Sequence, residues 1–200
     1  MDKIFVIGGC RSGKSRRALE LARQAGGRRV YVATLEPRDG EMRDRVKRHQ
    51  AERGKGWRTV EESVDLAGTL AREGRKADVI VVDCLTLWVS NLLLAGRDID
   101  AIVRAADDLA AAVRACPVAV ILVSNEVGGG VVPDNALGRA FRDAAGLVNQ
   151  RVAAVCSRVE LMVAGIPLAI KPGAPQRTTA GGMVRRRKRP PQRTQRNSQG

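Results

Sequence analysis

The sequence predicts an α/β fold in which a mostly parallel sheet is covered by helices on both faces. Short apolar runs alternate along the chain with segments of helical periodicity, and this alternation is typical of βαβ units. The apolar runs contain few polar residues, as expected for strands that are buried on both sides. The predicted strands span residues 4–7, 30–33, 79–82, 118–123 and 159–163.

Segments of helical periodicity separate these strands. Gly74 is a typical stop for one of them, and Ala164-Gly165 is a turn signal between the strand at 159–163 and a further apolar run at 166–171. We therefore expect a closing hairpin that adds one antiparallel edge strand. The predicted helices span residues 14–24, 41–53, 63–73, 99–115 and 135–156.

The composition favours one domain of a cytoplasmic protein. Of the 200 residues, 44% are hydrophobic, which is enough for a core. No apolar run reaches the ~18 residues that a membrane span needs, and the residues before the first strand do not have the pattern of a secretory leader, so none is expected. Four cysteines are scattered without a CxxC pair, which favours reduced thiols over zinc ligands or disulfides.

The net charge of +14 is concentrated at the carboxyl end of the chain. Residues 172–200 hold eight Lys or Arg and no acid, so this segment supplies more than half of the excess. Its Pro, Gly, Arg and Gln content is typical of disorder. We predict a domain over residues 1–171 and a basic disordered tail over 172–200. With only 2 Phe, 2 Trp and 1 Tyr available for base stacking, nucleic-acid binding is expected to be at most non-specific, through the tail.

A glycine-rich turn between the first strand and the first helix matches the full GxxxxGK[ST] pattern of P-loop NTPases. In that motif the backbone N–H groups surround phosphate oxygens, the lysine reaches the β- and γ-phosphates, and the last hydroxyl binds Mg²⁺. The alternative is a strand-to-helix turn without a ligand. The residues are Gly8, Gly9, Cys10, Arg11, Ser12, Gly13, Lys14 and Ser15.

Asp83 is the predicted second magnesium ligand. It ends the apolar strand at 79–82, and a P-loop site needs a second, metal-binding carboxylate at the end of another buried strand. The alternative role of Asp83 is to cap the segment at 85–94, and the two roles are compatible.

His49 is the one histidine of the chain and lies four residues after Arg45. If the segment is helical, both side chains share a face. An imidazole can attack phosphorus, and a neighbouring guanidinium can hold the phosphates. From this pattern alone, a solvated surface histidine is the alternative.

Together these residues resemble the bifunctional adenosylcobinamide kinase/adenosylcobinamide-phosphate guanylyltransferase family of cobalamin biosynthesis. The resemblance is colinear from residue 3 to about 171, far beyond the P-loop that many proteins share. It is carried by the turn at 8–15, Arg45 with His49, and the segments 57–61, 83–86, 123–128, 131–133, 139–143, 146–150 and 164–167.

The resemblance implies a RecA-like P-loop domain, a homotrimer and two consecutive reactions. A nucleoside triphosphate, ATP or GTP, phosphorylates adenosylcobinamide. GTP then gives GMP to a histidine, at the position of His49, and the GMP passes on to form adenosylcobinamide-GDP. Besides the P-loop residues, the implied nucleotide contacts are Ala33, Thr34, Leu35, Gln50, Ala51, Glu52, Arg53, Glu61 and Asp83.

Four further side chains have open roles. A carboxylate at Glu61 can accept both N–H donors of guanine's Watson–Crick edge, or it can be a solvated acid at a strand end. Glu126 follows a strand at the edge where open sheets bind ligands, and can orient the substrate hydroxyl or serve structure. Arg139 and Arg142 are three residues apart on a predicted helix, where they can bind phosphate or face solvent.

Cys10 and the basic tail depart from the family pattern. Cys10 occupies a P-loop position where the family usually has a small residue, and a thiol is small enough to fit. Two other classes compete with the implied function: a P-loop kinase or nucleotidyltransferase that acts on a different alcohol, and a RecA-like ATPase stimulated by nucleic acid.

Overall fold

The structure is a computed structural model that describes residues 1–36, 40 and 53–173. Seven strands lie in these ranges: β1 Lys3–Gly8, β2 Arg29–Ala33, β3 Trp57–Glu61, β4 Val79–Asp83, β5 Ala119–Asn125, β6 Arg158–Val163 and β7 Ile166–Pro172. Five helices begin and end within these ranges: α1 Lys14–Ala25, α2 Leu66–Glu73, α3 Leu85–Leu94, α4 Ile99–Ala115 and α5 Ala136–Val155.

The strands form one sheet in the order β3-β2-β4-β5-β1-β6-β7. The first six strands in this order are parallel to one another, and β7 is antiparallel to β6. The carboxyl ends of the parallel strands therefore meet at one edge, which is where open α/β sheets bind ligands. The P-loop follows β1 at this edge, and Asp83 ends β4 there, with β5 between the two strands.

Helices pack on both faces of the sheet, and each face has its own core. One face carries α2, α3, α4 and α5 over a cluster that includes Phe5, Ile80, Leu122 and Trp88. The other carries α1, whose Ala18, Leu19 and Ala22 pack with Val81 and Ile121. These clusters supply the hydrophobic free energy that holds the sheet edge in a fixed shape.

The predicted architecture is confirmed: the sheet is mostly parallel, both faces bear helices, and β7 is an antiparallel edge strand. The predicted helix at 63–73 begins later, at Leu66, because the Asp65 carboxylate caps it by accepting the Gly68 N–H at 2.9 Å. The predicted helix at 41–53 lies, except for Arg53, outside the described residues. No helix in the described ranges is long and apolar enough to cross a membrane.

Candidate functional site

The P-loop turn depends on two glycines for different reasons. At Gly8 an added Cβ would lie 2.5 Å from the Met162 carbonyl oxygen of β6, so only glycine fits this close approach. Gly13 precedes α1 with a φ of 96°, in the left-handed region that glycine adopts without strain. The chain can thus pass from β1 into α1 with the first N–H groups of the helix turned toward the sheet edge.

Lys14 is held inside this turn. Its side chain is 7% exposed, and its Nζ donates to the Gly9 carbonyl oxygen at 2.6 Å. Burial lowers the pKa of Lys14 from its ordinary value, and the nearby Cys84 and Asp83 oppose that shift. Phosphate oxygens are stronger acceptors for an ammonium group than a neutral carbonyl is, so Lys14 is placed to exchange one for the other.

The P-loop opens into a cavity of about 330 Å³ at the carboxyl edge of the sheet. That volume lies in the range of small-molecule sites. Its walls combine the loop with the ends of β2, β4 and β5 and the start of α3. The lining residues are Cys10, Arg11, Ser12, Gly13, Lys14, Ser15, Arg16, Tyr31, Ala33, Leu35, Arg53, Asp83, Cys84, Leu87 and Asn125.

Ser15 and Asp83 line the same cavity and offer one hydroxyl and one carboxylate. No group of three or more His, Cys, Asp or Glu suited to a metal occurs within residues 1–36, 40 and 53–173. Two hard oxygen ligands beside a phosphate-binding loop nevertheless suit Mg²⁺, which is usually bound by one or two protein ligands together with substrate phosphates and water.

Tyr31 supports Asp83 from the neighbouring strand. Its hydroxyl donates to Asp83 Oδ2 at 2.9 Å, and the guanidinium carbon of Arg53 lies 3.9 Å from its ring centroid. Burial, with the adjacent Asp83 carboxylate, raises the pKa of Tyr31 well above its ordinary value, so its hydroxyl stays protonated. Our sequence analysis missed Tyr31, because an aromatic residue inside an apolar strand is typical of a core position.

The other predicted nucleotide contacts do not all line the cavity. Ala33 and Leu35 line the cavity, whereas the Thr34 hydroxyl both donates to the Cys84 carbonyl oxygen and accepts the Cys84 N–H, each at 2.8 Å. The Glu61 side chain is exposed at the end of β3, in register with Ala33, and does not line the cavity. His49, Gln50, Ala51 and Glu52 lie outside the described residues.

The segment after β5 is fastened beside the P-loop. The Glu126 N–H donates to the Gly8 carbonyl oxygen at 3.0 Å, and its exposed carboxylate accepts the Gly128 N–H at 2.6 Å. Arg142 donates to the Gly128 carbonyl oxygen at 2.5 Å, and Arg139 to the carbonyl oxygens of Pro133 and Asp134. In this structure both arginines therefore support the loop that leads into α5.

Comparison with known proteins gives consistent matches over the described domain. A family model for "Cobinamide kinase / cobinamide phosphate guanyltransferase" matches residues 4–170. The chain is 44% identical over 167 residues to the bifunctional adenosylcobalamin biosynthesis protein CobP of Pseudomonas aeruginosa, covering 84% of this chain and 96% of that protein. It is 44% identical to the bifunctional protein CobU of Salmonella typhimurium and 41% identical to that of Escherichia coli, each over 180 residues, covering 84% of this chain and 99% of each relative.

Proposed function

We propose that this chain, which belongs to the cobinamide kinase / cobinamide phosphate guanyltransferase family, catalyses two consecutive reactions. In the first, a nucleoside triphosphate phosphorylates adenosylcobinamide. In the second, GTP transfers GMP to the new phosphate, giving adenosylcobinamide-GDP and pyrophosphate. The observation that carries the proposal is the P-loop cavity, built by Lys14, Ser15 and Asp83, inside a family match that spans nearly the whole described domain.

The nucleotide occupies this cavity with its phosphates on the loop. The N–H groups between Gly9 and Ser15 surround the phosphate oxygens, and the Lys14 ammonium binds the β- and γ-phosphates. Ser15 and Asp83 would hold Mg²⁺, which would neutralise phosphate charge when bound. Backbone at Ala33, Thr34 and Leu35 and the residues Gln50, Ala51, Glu52 and Arg53 complete the nucleotide site, as the family resemblance implies.

Glu61 recognises the guanine base. Its carboxylate offers two acceptors for the two N–H donors on guanine's Watson–Crick edge, and adenine lacks that pair. Support comes from its position: Glu61 ends β3 at the same sheet edge as Ala33 and Asp83, and its side chain is exposed and accessible to a ligand.

The two reactions differ in their nucleophile. In the kinase step, the substrate hydroxyl oxygen attacks the γ-phosphorus and the nucleoside diphosphate leaves. In the guanylyl step, a His49 nitrogen attacks the α-phosphorus of GTP and pyrophosphate leaves, so that a phosphorus–nitrogen bond joins GMP to the enzyme. A phosphate oxygen of adenosylcobinamide phosphate then attacks that phosphorus and releases His49. Arg45 steadies the phosphate under attack.

We further propose that the protein acts in the cytoplasm as a homotrimer. All four cysteines are free, as expected in a reducing compartment. The edge strand β7 exposes Ile166, Leu168 and Ile170, and an exposed apolar strand at a sheet edge is a suitable surface for contact between subunits. The trimer itself follows from the family resemblance.

Mass spectrometry of the protein after incubation with GTP and Mg²⁺ tests the proposal. A covalent GMP adduct is expected in the wild type and none in His49→Ala or His49→Asn, since no second histidine can replace the nucleophile. Both variants should still phosphorylate adenosylcobinamide with ATP. GMP transfer should fall as the pH drops below the histidine pKa, because only the neutral imidazole is a nucleophile.

Two outcomes would contradict parts of this assignment. An acid-labile GMP adduct that persists in His49→Ala would place the nucleophile elsewhere. A GMP adduct on His49 in a protein that does not phosphorylate adenosylcobinamide would support the proposed guanylyl transfer. It would contradict the proposed kinase reaction and assign that reaction to another alcohol.

A further inference from the structure

Of the two predicted metal ligands, Ser15 and Asp83, Tyr31 forms its hydrogen bond with Asp83. Strands β2 and β4 pair in parallel with Tyr31 opposite Val81, so Asp83 lies two residues further along on the same face. A diagonal neighbour at this spacing is within reach of an aromatic side chain. The phenol group therefore extends along the sheet face to the carboxylate at the end of β4, and the two are 2.9 Å apart.

Packing alone does not account for the Tyr31 hydroxyl. The side chain is 5% exposed, and its ring packs with apolar residues beneath α1 and edge-on against Trp57. Phenylalanine would fill the same space and would not bury a polar group. The burial cost of the hydroxyl is offset by its hydrogen bond to Asp83, because a hydrogen bond to a charged acceptor is stronger than one between neutral groups.

Arg53 packs its guanidinium over the ring of Tyr31. Its guanidinium carbon lies 3.9 Å from the Tyr31 ring centroid, it is 5% exposed, and its backbone carbonyl accepts a hydrogen bond from Arg23 of α1 at 3.3 Å. A cation above a phenol ring is attracted by the ring electrons and makes the hydroxyl a better donor. Arg53 also lines the cavity, so it connects the nucleotide site with the Tyr31–Asp83 pair.

We propose that Tyr31 is a positioning residue for the metal carboxylate: its hydroxyl fixes Asp83 Oδ2 and so orients the second carboxylate oxygen toward the metal of the nucleotide complex. Arg53 stabilises this arrangement by its contact with the ring. The inference rests on the proposed function in one respect, that Asp83 binds the metal of a bound nucleotide. It concerns binding and does not depend on the identity of the acceptor substrate.

Tyr31→Phe tests this role, because the change keeps the ring and its contacts and removes the hydroxyl alone. GDP binding is measured by calorimetry with and without Mg²⁺. Metal-free GDP affinity should stay within about twofold of wild type, whereas the gain in affinity from Mg²⁺ should shrink by about tenfold, the lower end for one charge-assisted hydrogen bond. The melting temperature without nucleotide should fall only modestly, since all packing is kept and one buried hydrogen bond is lost.

Ser157→Ala is the matched control. The Ser157 hydroxyl donates to the Lys3 carbonyl oxygen at 3.1 Å and accepts the Lys3 N–H, at the opposite edge of the sheet. This change removes a hydrogen-bonded hydroxyl from an exposed residue remote from the cavity, and the gain in GDP affinity from Mg²⁺ should be unchanged.

Asp83→Asn completes a double-mutant cycle with Tyr31→Phe. If Tyr31 acts through Asp83, the hydroxyl deletion has no further effect on metal-supported binding in the Asp83→Asn protein. The proposal is overturned if Tyr31→Phe keeps the full gain from Mg²⁺, if it weakens metal-free binding equally, if its cost persists in the Asp83→Asn protein, or if wild-type binding gains nothing from Mg²⁺.

The binding assay separates this proposal from the proposed reactions. A protein that passes the GDP test but does not act on adenosylcobinamide refutes the proposed function and leaves the role of Tyr31 standing. A protein that catalyses both reactions with an unaltered metal response in Tyr31→Phe refutes the role of Tyr31 alone.

Discussion

At the scale of single residues, the candidate site is assembled from side chains that other groups of the protein hold in place. Lys14 is bound to the Gly9 carbonyl oxygen and Asp83 to the Tyr31 hydroxyl. Groups that are already oriented lose little conformational entropy when a nucleotide binds. A P-loop motif predicts which residues take part, but it does not include the residues that orient them.

Lys14→Ala should reduce both reactions by at least about 100-fold. In the proposed function one P-loop binds the triphosphate for each reaction, and phosphate contacts from a charged donor are worth about 1.5–3 kcal/mol apiece. Initial rates of adenosylcobinamide phosphorylation and of GMP transfer are the measurements. Lys76→Ala, an exposed lysine just before β4 and away from the P-loop edge, is the control and should retain both rates. GMP transfer at a normal rate in Lys14→Ala would require a second nucleotide site.

The sequence could predict that the P-loop turn and Asp83 lie at one sheet edge, because each follows a buried strand with a characteristic residue pattern. It could not predict Tyr31, whose partner is 52 residues away in the chain and is met only through strand pairing. For Thr34, the family resemblance supplied a position but no side-chain direction, and the hydroxyl in fact binds the backbone of Cys84.

At the scale of secondary-structure elements, the helix that carries the P-loop is fastened to the sheet by a buried ion pair. Glu160 of β6 is 2% exposed and accepts Arg17 Nε and Nη2 of α1 at 2.9 and 3.0 Å, and Arg158 also contacts it. Burial by itself would raise the pKa of Glu160, but the hydrogen bonds from Arg17 and the charge of Arg158 hold that pKa below its ordinary value. The charged form of Glu160 is therefore favoured in the folded protein.

Glu160→Gln should destabilise the protein by about 2–3 kcal/mol at pH 7, since it leaves Arg17 with a neutral partner. A carboxyl group with a depressed folded pKa stabilises fully above its unfolded pKa, and this contribution is lost as the pH falls through the lower folded value. Urea unfolding between pH 7 and pH 3 should thus show the difference between wild type and variant narrowing below about pH 4.5. A difference that stays constant over this range would contradict the charge-based role.

Asp107→Asn provides the control for that experiment. Asp107 pairs with Arg151 at the same distance of 2.9 Å, but both side chains are largely exposed. Solvent screens such a pair, so its loss should cost less than about 1 kcal/mol.

The strands show which elements a residue pattern can and cannot predict. The buried parallel strands were recognisable from continuous apolar runs, whereas β3 was not among the predicted strands. Its residues Trp57–Glu61 are partly or fully exposed, because β3 forms the edge of the sheet next to β2 alone. An edge strand with two polar and one acidic residue among five lacks the pattern of a buried strand.

At the scale of the whole molecule, more than half of the excess positive charge lies outside the domain that carries the fold. The family match ends at residue 170, and β7 ends at Pro172. Eight of the 35 basic residues lie beyond these points, in a segment without acids. The parallel sheet could be predicted from local patterns that repeat along the chain, whereas composition alone indicates only that the tail lacks the apolar residues of a core.

Deleting residues 174–200 should therefore leave both reaction rates, the melting temperature and the sedimenting mass of the proposed trimer nearly unchanged. The truncation keeps all of β7, so no strand pairing is lost, and a tail that is predicted to be disordered contributes no packing.

The tail should also account for any binding to nucleic acid. Full-length protein should bind DNA or RNA weakly, and less tightly as the salt concentration rises, because lysine and arginine displace counterions from phosphates. The truncated protein should not bind DNA or RNA. A full-length variant with those eight basic residues changed to Gln separates charge from length and should also lose nucleic-acid binding. A large drop in turnover on truncation would instead assign the tail to the catalytic domain, and loss of the trimer would assign it to the subunit interface.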